Sequence, residues 1–363
     1  MRICFIIFFN YNTQNIYIIK KINSTKNGCR LRRKISTVMI PGASAPAGIN
    51  TIKSLRLSDF SGKILSTDSN ALSAGFYLSD YYEVIPEAEA DDYLEVLLNI
   101  IDKYSIEVLM PSSGYDIFPF SEFKSKLKKH GVIPVVSDRK ILEICRDKIY
   151  TFNHLNKFFR LPYTTLNPDE IDTYPVIAKP RFGKGSRDVI QVTDEQEKKY
   201  ICSKYPNMIY QEFLPGDEYT IDVMSDLESN PIISVPRVRL QTKSGISTKG
   251  KIILDKELIE ESMKIVKKLK IIGPSCIQMK KDKFDQFKLV EINPRLGGGT
   301  IFTTLAGANF PKMILDLVEG KKIDPPKISE ITVLRYFEEI VLDERNKINY
   351  IGKDLLTSNA CRI

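Results

Sequence analysis

Residues 290–299 read Val-Glu-Ile-Asn-Pro-Arg-Leu-Gly-Gly-Gly. A carboxylate, an amide and a guanidinium thus sit close together beside three glycines. Glu291 and Asn293 are two apart at the end of a short run from Lys288 to Ile292. On a strand such positions point to one face. Two oxygen-bearing side chains aimed at one point suit a hard divalent cation such as Mg²⁺. Pro294 must end or turn the strand, and Arg295 follows it. The segment reads as a phosphate-handling metal site, and equally as a plain strand ending in an Asn-Pro turn with a solvated arginine.

Composition limits what chemistry can surround it. Only His130 and His154 are present, so the site must rest on Lys, Arg, Glu and Asn. Cys4, Cys29, Cys145, Cys202, Cys276 and Cys361 show no CxxC spacing. That pattern argues for reduced thiols in a cytoplasmic protein without a zinc site. The chain of 363 residues is 43% hydrophobic and 27% charged, enough for two or three globular domains. Its net charge of +8 is local: residues 1–35 hold eight Lys/Arg and no Asp or Glu, and the remainder is formally neutral. A neutral body argues against a nucleic-acid partner. The apolar run Ile3–Phe9 is short for a membrane span, and only Arg2 precedes it, the basic cluster coming afterwards. No firm membrane association is expected. This basic extension is expected to be disordered and dispensable for activity.

The elements that must position such a site begin near Ser36. Strands are expected at Val38–Ile40, Lys63–Ser66, Val84–Ile85, Val108–Met110 and Val132–Val136. Helices follow Gly48, with Ile49, Ile52 and Leu55 in phase, and run from Glu89 to Tyr104, with Tyr93, Val96, Leu97, Ile100 and Ile101 on one face. Alternating strands and helices imply a parallel sheet. The turn Pro41–Gly48 is rich in glycine, and Asp68 lies twenty residues after Gly48, but the spacing is not GxGxxG. Ser137-Asp138 can cap a helix through Ile141, Leu142 and Cys145.

From Tyr174 the pattern turns antiparallel. Tyr174–Lys179 and Asp188–Val192 flank the glycine-bearing loop Pro180–Arg187, a strand–loop–strand flap. GxxxxGK[ST] is absent. Strands at Met208–Phe213, Glu218–Met224 and Ile232–Leu240, and a helix over Glu257–Leu269, come next. Cys276–Lys281 and Phe287–Ile292 form a hairpin that sets Gln278 opposite Glu291. Leu305–Val318 reads as one helix. A cation at Lys179, ending a strand before the loop, can neutralise phosphates as the N–H groups of Gly183–Ser186 close over them; alone it is an ordinary lysine.

In this order and spacing the motifs resemble the ATP-grasp superfamily, and most of all a single synthetase unit of the carbamoyl-phosphate synthetase large subunit. The resemblance covers about 36–335. It implies an α/β chain, α+β in the ATP-binding part. A Rossmann-like domain (36–136) precedes a lid subdomain with a flexible flap (137–213), a metal and catalytic subdomain (214–335) and a tail (336–363). It implies that Lys148, Lys179, Gly183, Gly185 and Ser186 meet ATP phosphates, with Arg181 and Lys184 adding charge. Glu212, Phe213 and Leu214 meet the adenine and Glu218 the ribose. Gln278, Glu291 and Asn293 bind Mg²⁺ or Mn²⁺, as two ions. Arg295, Arg239 and Lys179 carry the phosphoryl chemistry; Arg237 shares the parity of Arg239, and the sequence does not separate them. Glycine often stands in the family where this chain has Asp188, which predicts a stiffer flap.

The implied activity joins a small-molecule carboxylate, activated as an acyl phosphate, to an amine. A homodimer is compatible with it. The alternatives are a carbamoyl-phosphate-synthetase-like enzyme using bicarbonate or carbamate with ammonia, and a nucleotide-binding regulator without turnover. Specificity is expected in the loops Ser44–Gly48, Pro111–Asp116 and Gly297–Thr300.

Overall fold

The structure is a computed structural model that describes residues 5–9, 16–20, 34–183, 188–345 and 348–351. Met1–Lys34 form a unit of their own, in which β1 (Phe5–Phe9) pairs antiparallel with β2 (Ile16–Lys20). Part of the stretch expected to lack structure is therefore a strand pair, in keeping with its β-branched and aromatic runs.

The second unit opens with β3 (Thr37–Pro41), α1 (Pro46–Arg56), β4 (Lys63–Asp68), β5 (Tyr81–Val84), α2 (Tyr93–Tyr104) and β6 (Val108–Leu109). Then come α3 (Ile117–Glu122), α4 (Lys124–Lys129) and β7 (Ile133–Pro134). The five strands form one parallel sheet in the order β5-β4-β3-β6-β7. β3 is buried at every position, as a strand covered on both faces must be. The chain switches sides after β3, so the loops after β3 and β6 flank the crevice where open parallel sheets bind ligands.

Next come α5 (Arg139–Arg146), α6 (Lys148–Leu155), β8 (Thr164–Thr165), β9 (Val176–Pro180), β10 (Ile190–Val192), α7 (Glu195–Lys204) and β11 (Met208–Glu212). The four strands make a small antiparallel sheet, β10-β9-β11-β8. Its own core joins Val176, Ala178, Val192, Ile201, Met208 and Tyr210. Helices α5 and α6 do not share that core: Ile144, Cys145 and Leu155 pack with Ile221, Val223 and Ile277 of the next sheet. The cap expected from Ser137-Asp138 is not made by either side chain. Ser137 Oγ instead accepts from the Ile272 N–H at 2.9 Å, and Asp138 lies 3.5 Å from Lys124.

The largest sheet is formed by β12 (Glu218–Ser225), β13 (Pro231–Lys243), β14 (Ile246–Ile252), β15 (Pro274–Lys281), β16 (Phe287–Asn293) and β17 (Thr332–Leu334), in the order β16-β15-β12-β13-β14-β17. Alternation sorts its faces. Ile221, Val223, Ile277, Met279, Leu289 and Ile292 cover the side packed on α8 (Lys256–Leu269). The other face meets the parallel-sheet domain through an apolar core that runs from Val38, Ile40, Ile52 and Leu55 to Met224, Val235, Phe302 and Phe310. The single helix expected over Leu305–Val318 is two, α9 (Thr300–Leu305) and α10 (Phe310–Val318). Asn309 caps the second by accepting from the Lys312 N–H, and Pro311 sits in its first turn. Among the described residues no helix is long and apolar enough to cross a membrane.

Candidate functional site

A cleft lies between the small sheet and the polar end of the large one. Its walls include Lys148, Ile177, Lys179, Gly183, Gln211, Glu212, Phe213, Leu214, Glu218, Gln278, Lys280 and Glu291. Nine of the expected site residues therefore converge from segments spread over some 140 positions. Gly185 and Ser186, with Lys184, lie outside the described residues.

The floor is set by strand register. Gln278 faces Glu291 and Thr220 directly, and Glu218 faces Lys280. Between Gln278 and Met279 the partner strand carries one extra residue, Val290, a bulge. Because of it Lys288 and Glu291, three apart, both lie on the face turned away from α8, Glu291 lining the cleft and Lys288 reaching Glu212 at its edge. Asn293 Nδ2 donates to Glu291 Oε1 at 2.9 Å, and Arg295 Nη1 donates to the Leu296 carbonyl at 2.8 Å. Gln278, Glu291 and Asn293 offer oxygens to a hard cation. They include one carboxylate, and among the described residues no group of three His, Cys, Asp or Glu could hold a metal. The donor set fits Mg²⁺ that shares its remaining positions with phosphate oxygens and water, and does not fit a soft or tightly caged metal.

The roof carries the lysines. Lys179 is only 8% exposed and donates to Gln211 Oε1 at 2.7 Å, while Gln211 donates onward to Thr164 Oγ1 at 2.9 Å. Burial, reinforced by the neighbouring Lys148 charge, lowers its pKa from 10.5 to about 8, against the pull of Glu291 and Glu218. Lys148 opens α6, whose cap is Asp147: that carboxylate accepts from the N–H groups of Ile149 (3.0 Å) and Tyr150 (3.2 Å). Lys148 Nζ reaches the carbonyls of Arg181 (3.4 Å) and Gly183 (3.3 Å). Burial also holds its pKa below the ordinary lysine value, partly offset by Glu291 and Asp147. Two cations thus face one cleft, one of them at a helix N-terminus, where the dipole favours an anion.

Three expected residues have partners within the chain. The Glu212 carboxylate, expected to meet the adenine amino group, is held by Lys288 Nζ (2.6 and 2.8 Å) and by the Tyr163 N–H (3.1 Å). Glu218 and Arg239, expected at ribose and phosphate, are ion-paired with each other, and Arg239 Nη2 also donates to the Gly245 carbonyl at 2.7 Å. Arg237 is 2% exposed and donates to Asp222 Oδ2 at 2.5 Å, which also accepts from Thr303 Oγ1 at 2.5 Å. It packs so close to Gly299 that a Cβ there would lie 2.2 Å from its Nη2. The flap position Asp188 has φ 55°, the conformation glycine favours and Asp tolerates.

The glycine segment joins the cleft to the parallel-sheet domain. The Leu296 N–H donates to the Pro111 carbonyl (2.8 Å), Asn50 Nδ2 to the Gly298 carbonyl (2.7 Å), and Arg335 to the same carbonyl. The ends of the loops expected to set specificity are thus brought side by side. Asp68 is engaged within its own domain: Ser44 donates to its Oδ2 from N–H (2.7 Å) and Oγ (2.8 Å). Gly48 serves close packing, since a Cβ there would lie 2.1 Å from the Gly42 carbonyl oxygen. Sequence reading missed Asp147, Arg181 as its partner, Lys288 and the Val290 bulge. Only Asp147 left a local signal, an acidic residue just before a helix.

Comparison with known proteins adds names. Residues 204–340 match the family model "ATP-grasp in the biosynthetic pathway with Ter operon", and 49–136 match "PylC-like, N-terminal domain". A D-alanine–D-alanine ligase of Petrotoga mobilis is 26% identical over 234 residues, covering 59% of this chain and 76% of that protein. The N5-carboxyaminoimidazole synthetase of Staphylococcus aureus, solved with ADP, superposes with a TM-score of 0.66 at 14% identity, over 86% of this chain and 84% of that one. Biotin carboxylase of Campylobacter jejuni, in a β-γ-ATP complex, superposes at 0.65 with 15% identity, over 82% and 74%.

Proposed function

We propose that the chain is a member of the ATP-grasp superfamily and an ADP-forming ligase that joins a small-molecule carboxylate to an amine. The observation that carries this reading is the convergence of Lys148, Lys179, Gln278 and Glu291 on one cleft. Binding adenine alone needs none of the four, so a regulator without turnover is disfavoured.

In this reading ATP lies along the cleft with its base at Glu212–Leu214 and its phosphates between the two lysines. Glu212, clamped by Lys288, fixes the strand end against which the base edge sits. Gln278, Glu291 and Asn293 would hold Mg²⁺ or Mn²⁺, which supplies charge neutralisation at the phosphates. A carboxylate oxygen of the substrate attacks the γ-phosphorus; the new O–P bond forms as the bond to the β-phosphate oxygen breaks, releasing ADP. Protonated Lys148 and Lys179 and Arg295 offset the charge on the transferred group. The amine then attacks the acyl carbon, phosphate leaves, and the amine proton departs with it. His130 pairs with Asp102 at the surface and His154 is exposed, so positioning and electrostatics carry the rate rather than an imidazole base. The substrates meet where Arg295 and Gly297–Thr300 adjoin Pro111 and Asn50.

The test is Mg²⁺-dependent ADP release screened over pooled carboxylates and amines, with mass detection of product. Stimulation by one pool, lost in Glu291→Ala with unchanged fold, is expected. Tight ATP binding with no pool raising ADP release would favour the regulator instead.

A further inference from the structure

The two phosphate-facing lysines belong to different cores. Lys179 lies on β9, whose apolar side packs with Met208 and Tyr210 in the small sheet. Lys148 opens α6, whose Leu155 packs with Ile221 and Ile277 of the large sheet. The buried cores therefore fix each lysine within its own body, and beyond the edge-on contact of Phe152 with Tyr163 their separation rests on polar contacts at the cleft.

Asp147 is such a contact. Besides capping α6, it accepts from Arg181 Nε at 2.9 Å to each oxygen and from Nη2 at 2.5 Å. Arg181 lies two residues beyond Lys179 and opens the glycine-bearing loop. One carboxylate thus grips the first turn of the Lys148 helix and the root of the loop after Lys179. The grip sets the Arg181 and Gly183 carbonyls where Lys148 Nζ finds them. Those are weak, long contacts to neutral oxygens, which a phosphate oxygen would displace.

We propose that Asp147 is a positioning residue for the nucleotide. Through Arg181 it holds the loop root, and through the helix cap it holds Lys148, so that both lysines meet the same phosphates. This rests on the nucleotide reading above. It assigns Arg181 a structural link to Asp147 rather than direct charge on ATP. Asn caps helices about as well as Asp, so Asp147→Asn keeps the helix start and removes the ion pair.

The experiment is calorimetric binding of MgATP and of adenosine to wild type, Asp147→Asn, Arg181→Gln and the double variant, with melting temperatures. Both single variants should weaken MgATP by roughly tenfold and leave adenosine within about twofold, because the effect acts at the phosphate end. The double variant should be no worse than either single one. Equal losses for adenosine and MgATP, additive losses, or unchanged MgATP affinity in folded variants would each overturn the proposal. Arg181 is 35% exposed and outside any core, so Arg181→Gln remains informative if Asp147→Asn fails to fold. Wild type that fails to bind MgATP sinks the nucleotide reading and this one together. Wild type that binds while the variants match it sinks this one alone.

Discussion

Two joints hold the large sheet to its neighbours, and they are made of opposite materials. Toward the parallel-sheet domain the joint is apolar, with Val38, Ile40, Ile52 and Leu55 sharing a core with Val235, Phe302 and Phe310. Toward the small sheet the cleft is bridged by ion pairs, Asp147–Arg181 and Glu212–Lys288. Apolar burial is worth about 1.5–3 kcal/mol per large side chain and is lost only when the surfaces part. Partly exposed ion pairs contribute roughly 0–1 kcal/mol each, because water replaces either partner at small cost. The first joint therefore keeps the acceptor loops fixed against Arg295 and the glycine segment. The second lets the roof of the cleft adjust to a charged ligand without disturbing the core.

The largest effect should come from the apolar joint. Phe302→Ala removes a fully buried ring and should cost about 3–5 kcal/mol, read as a shift in the denaturant midpoint. A loss below about 1 kcal/mol would mean the two domains are not welded there. Lys288→Met at the polar joint should behave in the opposite way. Its stability change should stay within about 1 kcal/mol while the KM for ATP rises roughly tenfold; a large melting shift with normal KM would erase the contrast.

A smaller effect concerns pH. Lys179 has a folded pKa of about 8, below its ordinary 10.5. Its charge opposes folding at low pH, and that cost fades as pH climbs from about 8 toward 10.5, where the unfolded chain still holds the proton. Phosphate binding needs the charged form and runs the other way. MgATP affinity should fall as pH passes about 8, and the fall should vanish in Lys179→Met. A pH-independent wild type would contradict the burial argument. The smallest effect is salt: moving from about 0.05 to 0.5 M should weaken MgATP binding several-fold yet leave the melting temperature nearly unchanged.

How much of this could be read from the letters follows from the range of each interaction. Gln278 opposite Glu291, and Glu291 in phase with Asn293, were legible because hairpin register and strand parity are local. The parallel sheet was legible from strand–helix alternation, with ends shifted by a residue or three. Arg237 and Arg239 share a parity, and only their partners Asp222 and Glu218 tell them apart. Glu212 looked free for adenine because Lys288, 76 positions away, was invisible as its partner. Pro311 and Gly307 did announce the break between α9 and α10, but the apolar phase on either side concealed it. The order and spacing of the motifs reached the superfamily, and one of the matched family models carries the ATP-grasp name.

The extra residue at Val290 makes one strand serve two masters. Lys288 braces the end of β11 through Glu212, and Glu291 faces the cleft, although three steps along a regular strand would put them back to back. Removing Val290 would restore the regular pleat and force a choice, turning either the brace or the ligand away from the cleft. A lone deletion there would uncouple grip on the base from grip on the phosphates while leaving every charged side chain in the sequence.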